Sequence, residues 1–204
     1  MIQATAPAYL SPEAYLDAEK QSPIKHEYID GQIYAMAGAS DAHVTISSNL
    51  TALLRPHLRG TAYRLYPLDM EVKIPARNRY YYPDLLVSCD PRDRGSDYFK
   101  QYPKLIIEVL SDSTEAFDRG DKLDDYSEIE TLEEYVLVSQ KQQRIDCFRR
   151  NKDGVWFLRR YRAGDRFTLE TINFEGKMAT VYEDVELPGF KSRQSEESRR
   201  MRVE

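Results

Sequence analysis

The sequence predicts an α/β (α+β) fold with a central mixed β-sheet flanked by helices and extended by added β-hairpins. Three observations carry this. Strands, a helix and a further strand follow one another through the middle of the chain. The run Leu105 to Leu110 is apolar at both parities, as in a central strand covered on both faces. Turn signals at Asp30-Gly31, Asp153-Gly154 and Ala163-Gly164-Asp165 mark hairpins. At 204 residues the chain has the size of one domain. With 41% hydrophobic and 31% charged residues it reads as a folded body, not a disordered one.

Ser11-Pro12-Glu13 reads as an N-cap, a proline at the first helical position and an acid in the first turn, so a helix is expected to about Lys20. "KHEYIDGQIYAMAG" is a hairpin, because Asp30-Gly31 suits a type I′ turn between two alternating runs. A helix from Ser40 or Asp41 to about Leu58 places His43, Ile46, Leu50, Leu53, Leu54 and His57 on one face, with Pro56 in its last turn. Strands follow in "TAYRLYPL", "MEVKIP" and "YYPDLLVS", and a polar stretch from Pro91 to Tyr102 leads to the strand "KLIIEVL". Ser111 to Thr114 offers helix caps, and one helix is expected over Asp118 to Ile129. "EYVLVS" is a further apolar strand, followed by the two later hairpins. Residues 1–190 are expected to form one domain and the polar run 191–204 a disordered tail.

Composition excludes several classes. No apolar run approaches the roughly 20 residues of a membrane span. The N-terminus lacks the basic start and apolar core of a signal peptide, so a cytoplasmic protein is expected. Cys89 and Cys147 form no CxxC, which argues against structural zinc. No Walker loop, GxGxxG, HExxH or Gly-x-Ser-x-Gly elbow occurs. The net charge of −5 disfavours a surface that grips nucleic acid wholesale, though not a local basic cleft. The arginine-rich stretch from Arg144 to Arg162 reads either as a solvated hairpin face or as a phosphate-binding stripe.

Two carboxylates stand out. Asp84 enters a buried strand directly after a proline, and Glu108 sits inside a strand covered on both faces. A lone ionised carboxylate there costs several kcal/mol unless it is paired or bound to a metal. The 24 residues between them leave room for a connection between neighbouring strands, so both acids can face one cleft. Lys122, Tyr126 and Ile129 fall at i, i+4 and i+7 of the following helix, which directs Lys122 inward, while Asp118, Asp121, Asp124 and Asp125 point outward. A lysine facing two acids either neutralises them or assists catalysis, by orienting a water or stabilising charge on a phosphate. Taken singly, Asp84 also reads as a turn residue, Glu108 as a satisfied buried acid and Lys122 as a helix partner of Asp118.

The ordered stretches "YPDLLVS", "PKLIIEVLSDSTEAFDRGDKLDDY" and "LEEYVLVS", with "HEYIDGQIYAMAGASDAHVTISSNL" upstream, resemble the Uma-type ("Uma two") family of bacterial endonucleases. That family belongs to the PD-(D/E)xK nuclease superfamily. The resemblance covers roughly Tyr9 to Leu187. It implies a restriction-endonuclease-like core and Mg²⁺- or Mn²⁺-dependent hydrolysis of nucleic-acid phosphodiesters, DNA foremost. The superfamily lysine would stand where this chain has Leu110; in this family it matches Lys122 on the next helix. Asp84 and Glu108 would then be metal ligands and Lys122 the third catalytic residue, with the main-chain carbonyl of Val109 as an extra ligand. The resemblance also brings Glu27 and His43 near the site, against a cross-strand ion pair and a core or cap histidine. Glu71 is a further candidate for the cleft, against ordinary strand alternation. A homodimer is expected from the superfamily alone. Two rivals stand beside this hydrolase: a nuclease-fold module that binds nucleic acid or protein without cutting, and a two-carboxylate glycosidase, which needs no inward lysine.

Overall fold

The computed structural model describes residues 9–188, so the tail expected at 191–204 lies outside the described residues. Helix α1 (Pro12–Glu19) begins as its sequence dictates: the Ser11 hydroxyl accepts from the Ala14 N–H at 3.2 Å, and Pro12 opens the first turn. Strands β1 (His26–Ile29) and β2 (Gln32–Ala35) form the expected hairpin. Asp30 and Gly31 both have positive φ, at 47° and 91°, the requirement of a type I′ turn. Helix α2 (Asp41–His57) is capped by Ser40, whose hydroxyl accepts from the His43 N–H. Its missing proline donor falls in the last turn, at Pro56.

Strands β3 (Arg64–Pro67) and β4 (Glu71–Ile74) follow. The stretch expected as one strand from Tyr81 onward is two: β5 (Arg79–Tyr81) and β6 (Leu85–Ser88). Tyr82, Pro83 and Asp84 lie between them, and a proline without an N–H is a natural breakpoint for a ladder. A two-residue strand, β7 (Phe99–Lys100), interrupts the polar connection before β8 (Leu105–Leu110). The single helix expected over Asp118 to Ile129 is instead α3 (Glu115–Arg119) and α4 (Asp121–Ser127), broken at Gly120, whose φ of −111° and ψ of −96° are not helical. The remaining elements are β9 (Glu134–Ser139), β10 (Arg144–Arg150), β11 (Trp156–Arg162), β12 (Arg166–Leu169), β13 (Phe174–Lys177) and α5 (Met178–Val181). The turn at Ala163 to Asp165 does not close a hairpin, because β11 pairs with β10 and β12 pairs with β13.

The strands form two main sheets. A six-stranded mixed sheet runs β11-β10-β9-β8-β6-β3, with β8 parallel to β9 and antiparallel to β6. A five-stranded sheet runs β2-β1-β5-β4-β7. Strand β8 is buried at all six positions, as its doubly apolar pattern requires. Leu105, Ile107 and Val109 face α2, packing with Ile46, Leu50 and Leu54. Ile106 and Leu110 face the other way, onto Tyr126 and Ile129 and onto Val72, Ile74 and Tyr81 of the second sheet. Side-chain alternation puts Glu108 on this second face, between the two sheets. On the far side of the five-stranded sheet, Tyr28 and Tyr80 pack with Tyr15 of α1.

Among the described residues no helix is long and apolar enough to cross a membrane. Cys89 and Cys147 are free thiols, and Cys147 is buried. The arginines of the β10–β11 hairpin are largely engaged within the fold. Arg149 is buried against Glu134 at 2.7 Å, Arg160 binds Asp146 at 2.6 Å, and Arg150 reaches the carbonyl of Ile129.

Because α2 is anchored on β8 through Leu50, Leu50→Ala should cost about 3 kcal/mol. A lower urea midpoint with an unchanged slope is the expected readout; an unshifted midpoint would place α2 outside the cooperative core.

Candidate functional site

Three carboxylates close on one ammonium where the two sheets meet, and a fourth, Asp84, adjoins them. Asp84 precedes β6 and Glu108 lies in β8, and the strands are antiparallel neighbours with Leu85 opposite Ile107. The Asp84 N–H donates to Glu108 Oε2 at 3.3 Å, and Asp84 Oδ2 accepts from the Val109 N–H at 2.7 Å. From α4, Lys122 Nζ lies 3.1 Å from Glu108 Oε1, 2.9 Å from Glu27 Oε1 and 3.4 Å from Asp118 Oδ1. The Tyr126 hydroxyl donates to Glu108 Oε1 at 3.1 Å. Glu108 thus accepts from an ammonium, a hydroxyl and a backbone amide. Lys122 is only 5% exposed, and its ammonium lies 5.3 Å and 5.9 Å from the ring centroids of Tyr81 and Phe117.

Burial pushes the Glu108 carboxyl well above its ordinary range; Lys122 opposes this and the charges of Asp118, Asp84 and Glu27 add to it. Asp118 is raised for the same first reason. Burial works against the Lys122 ammonium, but Glu108, Glu27 and Asp118 together hold its pKa well above the usual lysine value. Lys122 is therefore a cation here, and acids outnumber it.

The sequence-derived triad of Asp84, Glu108 and Lys122 is brought together. So are Glu27, which pairs with Lys122 and not with Lys25, and His43, whose Nε2 lies 2.6 Å from Asp84 Oδ1. The expected outward set is corrected at two positions. Asp118 is 2% and Asp125 7% exposed. Asp118 turns onto Lys122, while Asp125 accepts from the Tyr81 hydroxyl at 2.5 Å. Asp118 lies one turn before Lys122 and Asp125 one turn after it, so both border the face that carries the inward lysine. The reading of Lys122 as a helix partner of Asp118, from their i,i+4 spacing, holds at the same time as the inward one.

Glu71 is not in the cleft. Val72 and Ile74 face the core between the sheets, so the alternation of β4 turns Glu71 to the opposite face, where the Tyr15 hydroxyl meets its Oε1. The same hydroxyl lies 2.6 Å from the His26 carbonyl.

The donor set suits a hard divalent cation. Carboxylate oxygens, a nearby main-chain carbonyl at Val109 and an excess of negative charge are what Mg²⁺ or Mn²⁺ takes. Among the described residues no group of three or more His, Cys, Asp or Glu is arranged to hold a metal ion. Asp84 and Glu108, joined by the Asp84 N–H, are two carboxylates that could contribute to such a site, with the rest supplied by backbone, water or substrate.

A family model described as "Uma2: Putative restriction endonuclease" matches residues 12–180. A Synechocystis sp. protein, "Uncharacterized protein slr1290", is 44% identical over 173 residues, covering 85% of this chain and 91% of that protein. A second from the same organism, "Uncharacterized protein sll1609", is 34% identical over 160 residues, covering 78% and 90%. A crystal structure of "a putative nuclease belonging to DUF820" from Anabaena variabilis superimposes with a TM-score of 0.69 at 13% identity. It covers 85% of this chain and 97% of that one. The fold is restriction-endonuclease-like, with mixed sheets flanked by helices.

Burial pushes the pKa of Glu71 up to about 7, the Tyr15 bond opposing and Glu19 adding. A folded pKa above the unfolded one means that the ionised form penalises folding. Stability should then fall as pH rises from about 4.5 to about 7, by roughly 3 kcal/mol at most. Glu71→Gln should remove that loss, so the variant's advantage in thermal melts grows between pH 5 and pH 8; an advantage independent of pH would contradict the assignment.

Proposed function

This chain belongs to the Uma2 family, and we propose on that premise that it is a metal-dependent endonuclease hydrolysing nucleic-acid phosphodiester bonds, DNA being the substrate. The observation that carries the reading is the convergence of Asp84, Glu108 and Lys122 from a strand end, a strand interior and an inward helix face. Asp84 and Glu108 would hold Mg²⁺ or Mn²⁺, with the Val109 carbonyl as a further ligand. When bound, such an ion polarises a phosphoryl oxygen and lowers the pKa of a water.

The chain's own residues supply position and charge. Lys122 orients the attacking water and offsets negative charge that develops on the phosphate. Glu27 and Asp118 keep its ammonium in place when Glu108 turns to another partner, since both already contact it. The Val109 N–H fixes Asp84 Oδ2, leaving Oδ1, now on His43, as the more exchangeable oxygen. The Tyr126 hydroxyl, buried beneath Glu108, limits its rotamers. Tyr81 and Phe117 wall Lys122 from bulk water.

A second reading, a nuclease-fold module that binds nucleic acid or a protein partner without cleavage, is favoured on its protein side by one observation: Arg149, Arg150 and Arg160 of the β10–β11 hairpin are engaged by internal carboxylates and carbonyls and not free for phosphate. The two readings part on metal. Plasmid and oligonucleotide cleavage should require Mg²⁺ or Mn²⁺, stop with chelator, and fall at least about a hundredfold in Asp84→Ala, Glu108→Ala and Lys122→Ala. Equal cleavage by all four proteins would assign the activity to a contaminant. No cleavage by the wild type, with metal binding that ignores Asp84 and Glu108, would favour the binding module.

A further inference from the structure

Most tyrosines in this chain are committed to the interior. Tyr15, Tyr28 and Tyr80 pack together on one side of the five-stranded sheet, and Tyr81, Tyr126 and Tyr135 on the other. Tyr34 is different. It lies in β2, the edge strand of that sheet, whose four residues are all exposed, and the residue is 49% exposed. Among the described residues no ring or cation stacks on it.

Its position is fixed relative to the catalytic cluster. Tyr34 stands directly opposite Glu27 across the β1–β2 ladder. Directly opposed residues of an antiparallel pair project to the same face with Cβ atoms about 5 Å apart. Glu27 is the residue whose carboxylate holds Lys122, so the free ring sits one strand outward from the catalytic lysine's partner. Its hydroxyl donates to Gln32 Oε1 at 2.7 Å, which directs the ring along that same face.

The face continues into an open cleft of about 330 Å³ lined by Ile29, Tyr81 and Phe117, the last two being the rings that flank Lys122. Its charged wall sets Asp121, Asp124 and Asp125 against Arg77 and Arg79. Arg77 and Arg79 are themselves turned onto Asp125. Such a wall offers little to a phosphate backbone, and the protein's net charge is −5. Affinity at this end of the site must come from something other than counterion release.

We infer that Tyr34 is a nucleobase-stacking platform beside the catalytic cluster, and that the substrate is a nucleic-acid strand presenting an unpaired base: a single strand, a flap or an end. The inference rests on the nuclease reading and names the class of substrate for that site. Bases inside a duplex are stacked on one another and meet an edge-strand ring only after unstacking, which costs free energy that an unpaired strand does not lose. A π-face accepts any base, so the platform selects for strandedness and not for sequence.

The test is fluorescence anisotropy with a labelled 12-nucleotide single strand and the blunt duplex of the same sequence, with Ca²⁺ in place of Mg²⁺. The full chain should bind the single strand more tightly. Tyr34→Ala should weaken that binding about tenfold and leave duplex binding and the salt dependence unchanged. Tyr34→Phe and Tyr34→Trp should retain it, which separates stacking from a folding defect, and Ile33→Ala, on the other face of β2, should match the wild type. Unchanged single-strand affinity in Tyr34→Ala, or an equal loss on duplex, would overturn the inference. Cleavage of the same strand in Mg²⁺ separates the two ideas. Cutting without dependence on Tyr34 leaves the nuclease reading standing and sinks the platform. Tyr34-dependent binding without cutting does the reverse.

Discussion

The buried ammonium of Lys122 is the constraint to which the centre of this fold answers. Glu27 comes from the hairpin sheet, Glu108 from the central sheet and Asp118 from the helix before Gly120, and all three close on one cation. Removing an ammonium and carboxylates from water costs several kcal/mol per ion, and the interior restores it only through close, multiple contacts. Each element must therefore arrive in register. A one-residue slip of β8 would send Glu108 to the α2 face, among Ile46, Leu50 and Leu54, with no cation to meet it.

That arrangement is poor as a stabilising device and well suited to chemistry. Three acids on one lysine, with Asp84 beside them, leave charge uncompensated; burial first, and then the neighbouring carboxylates, raise the pKa values of Glu108 and Asp118. An apolar cluster of the same volume would cost the fold less. An excess of hard oxygen donors at the junction of two sheets is what a divalent cation and a phosphate would relieve. The same excess keeps Lys122 protonated, which suits the proposed part of a positioned cation and hydrogen-bond donor.

Much of this was legible in the chain. The doubly apolar run of β8 announced a central strand, and Asp84, Glu108 and the inward stripe of Lys122, Tyr126 and Ile129 followed from position and periodicity. Asp30-Gly31 announced its turn through the backbone signs that those residues tolerate. What stayed hidden depended on distant packing. Nothing local told that β5 and β6 belong to different sheets, or that Glu71 faces α1. The burial of Asp118 and Asp125 depended on what α3 and α4 meet in space, Lys122 for one and the Tyr81 hydroxyl for the other. Glu27 and His43 gained their partners only from contacts 41 to 95 residues away in sequence.

The central claim is that Asp84 and Glu108 form the protein half of a divalent-metal site whose charge is shared with Lys122. The most direct measurement is a crystal structure of the full chain soaked in Mn²⁺, read by anomalous scattering. The account predicts one strong peak between the two carboxylates, with Lys122 still held by Glu27 and Asp118. A map without manganese there, with Glu108 still bound to Lys122, would contradict it.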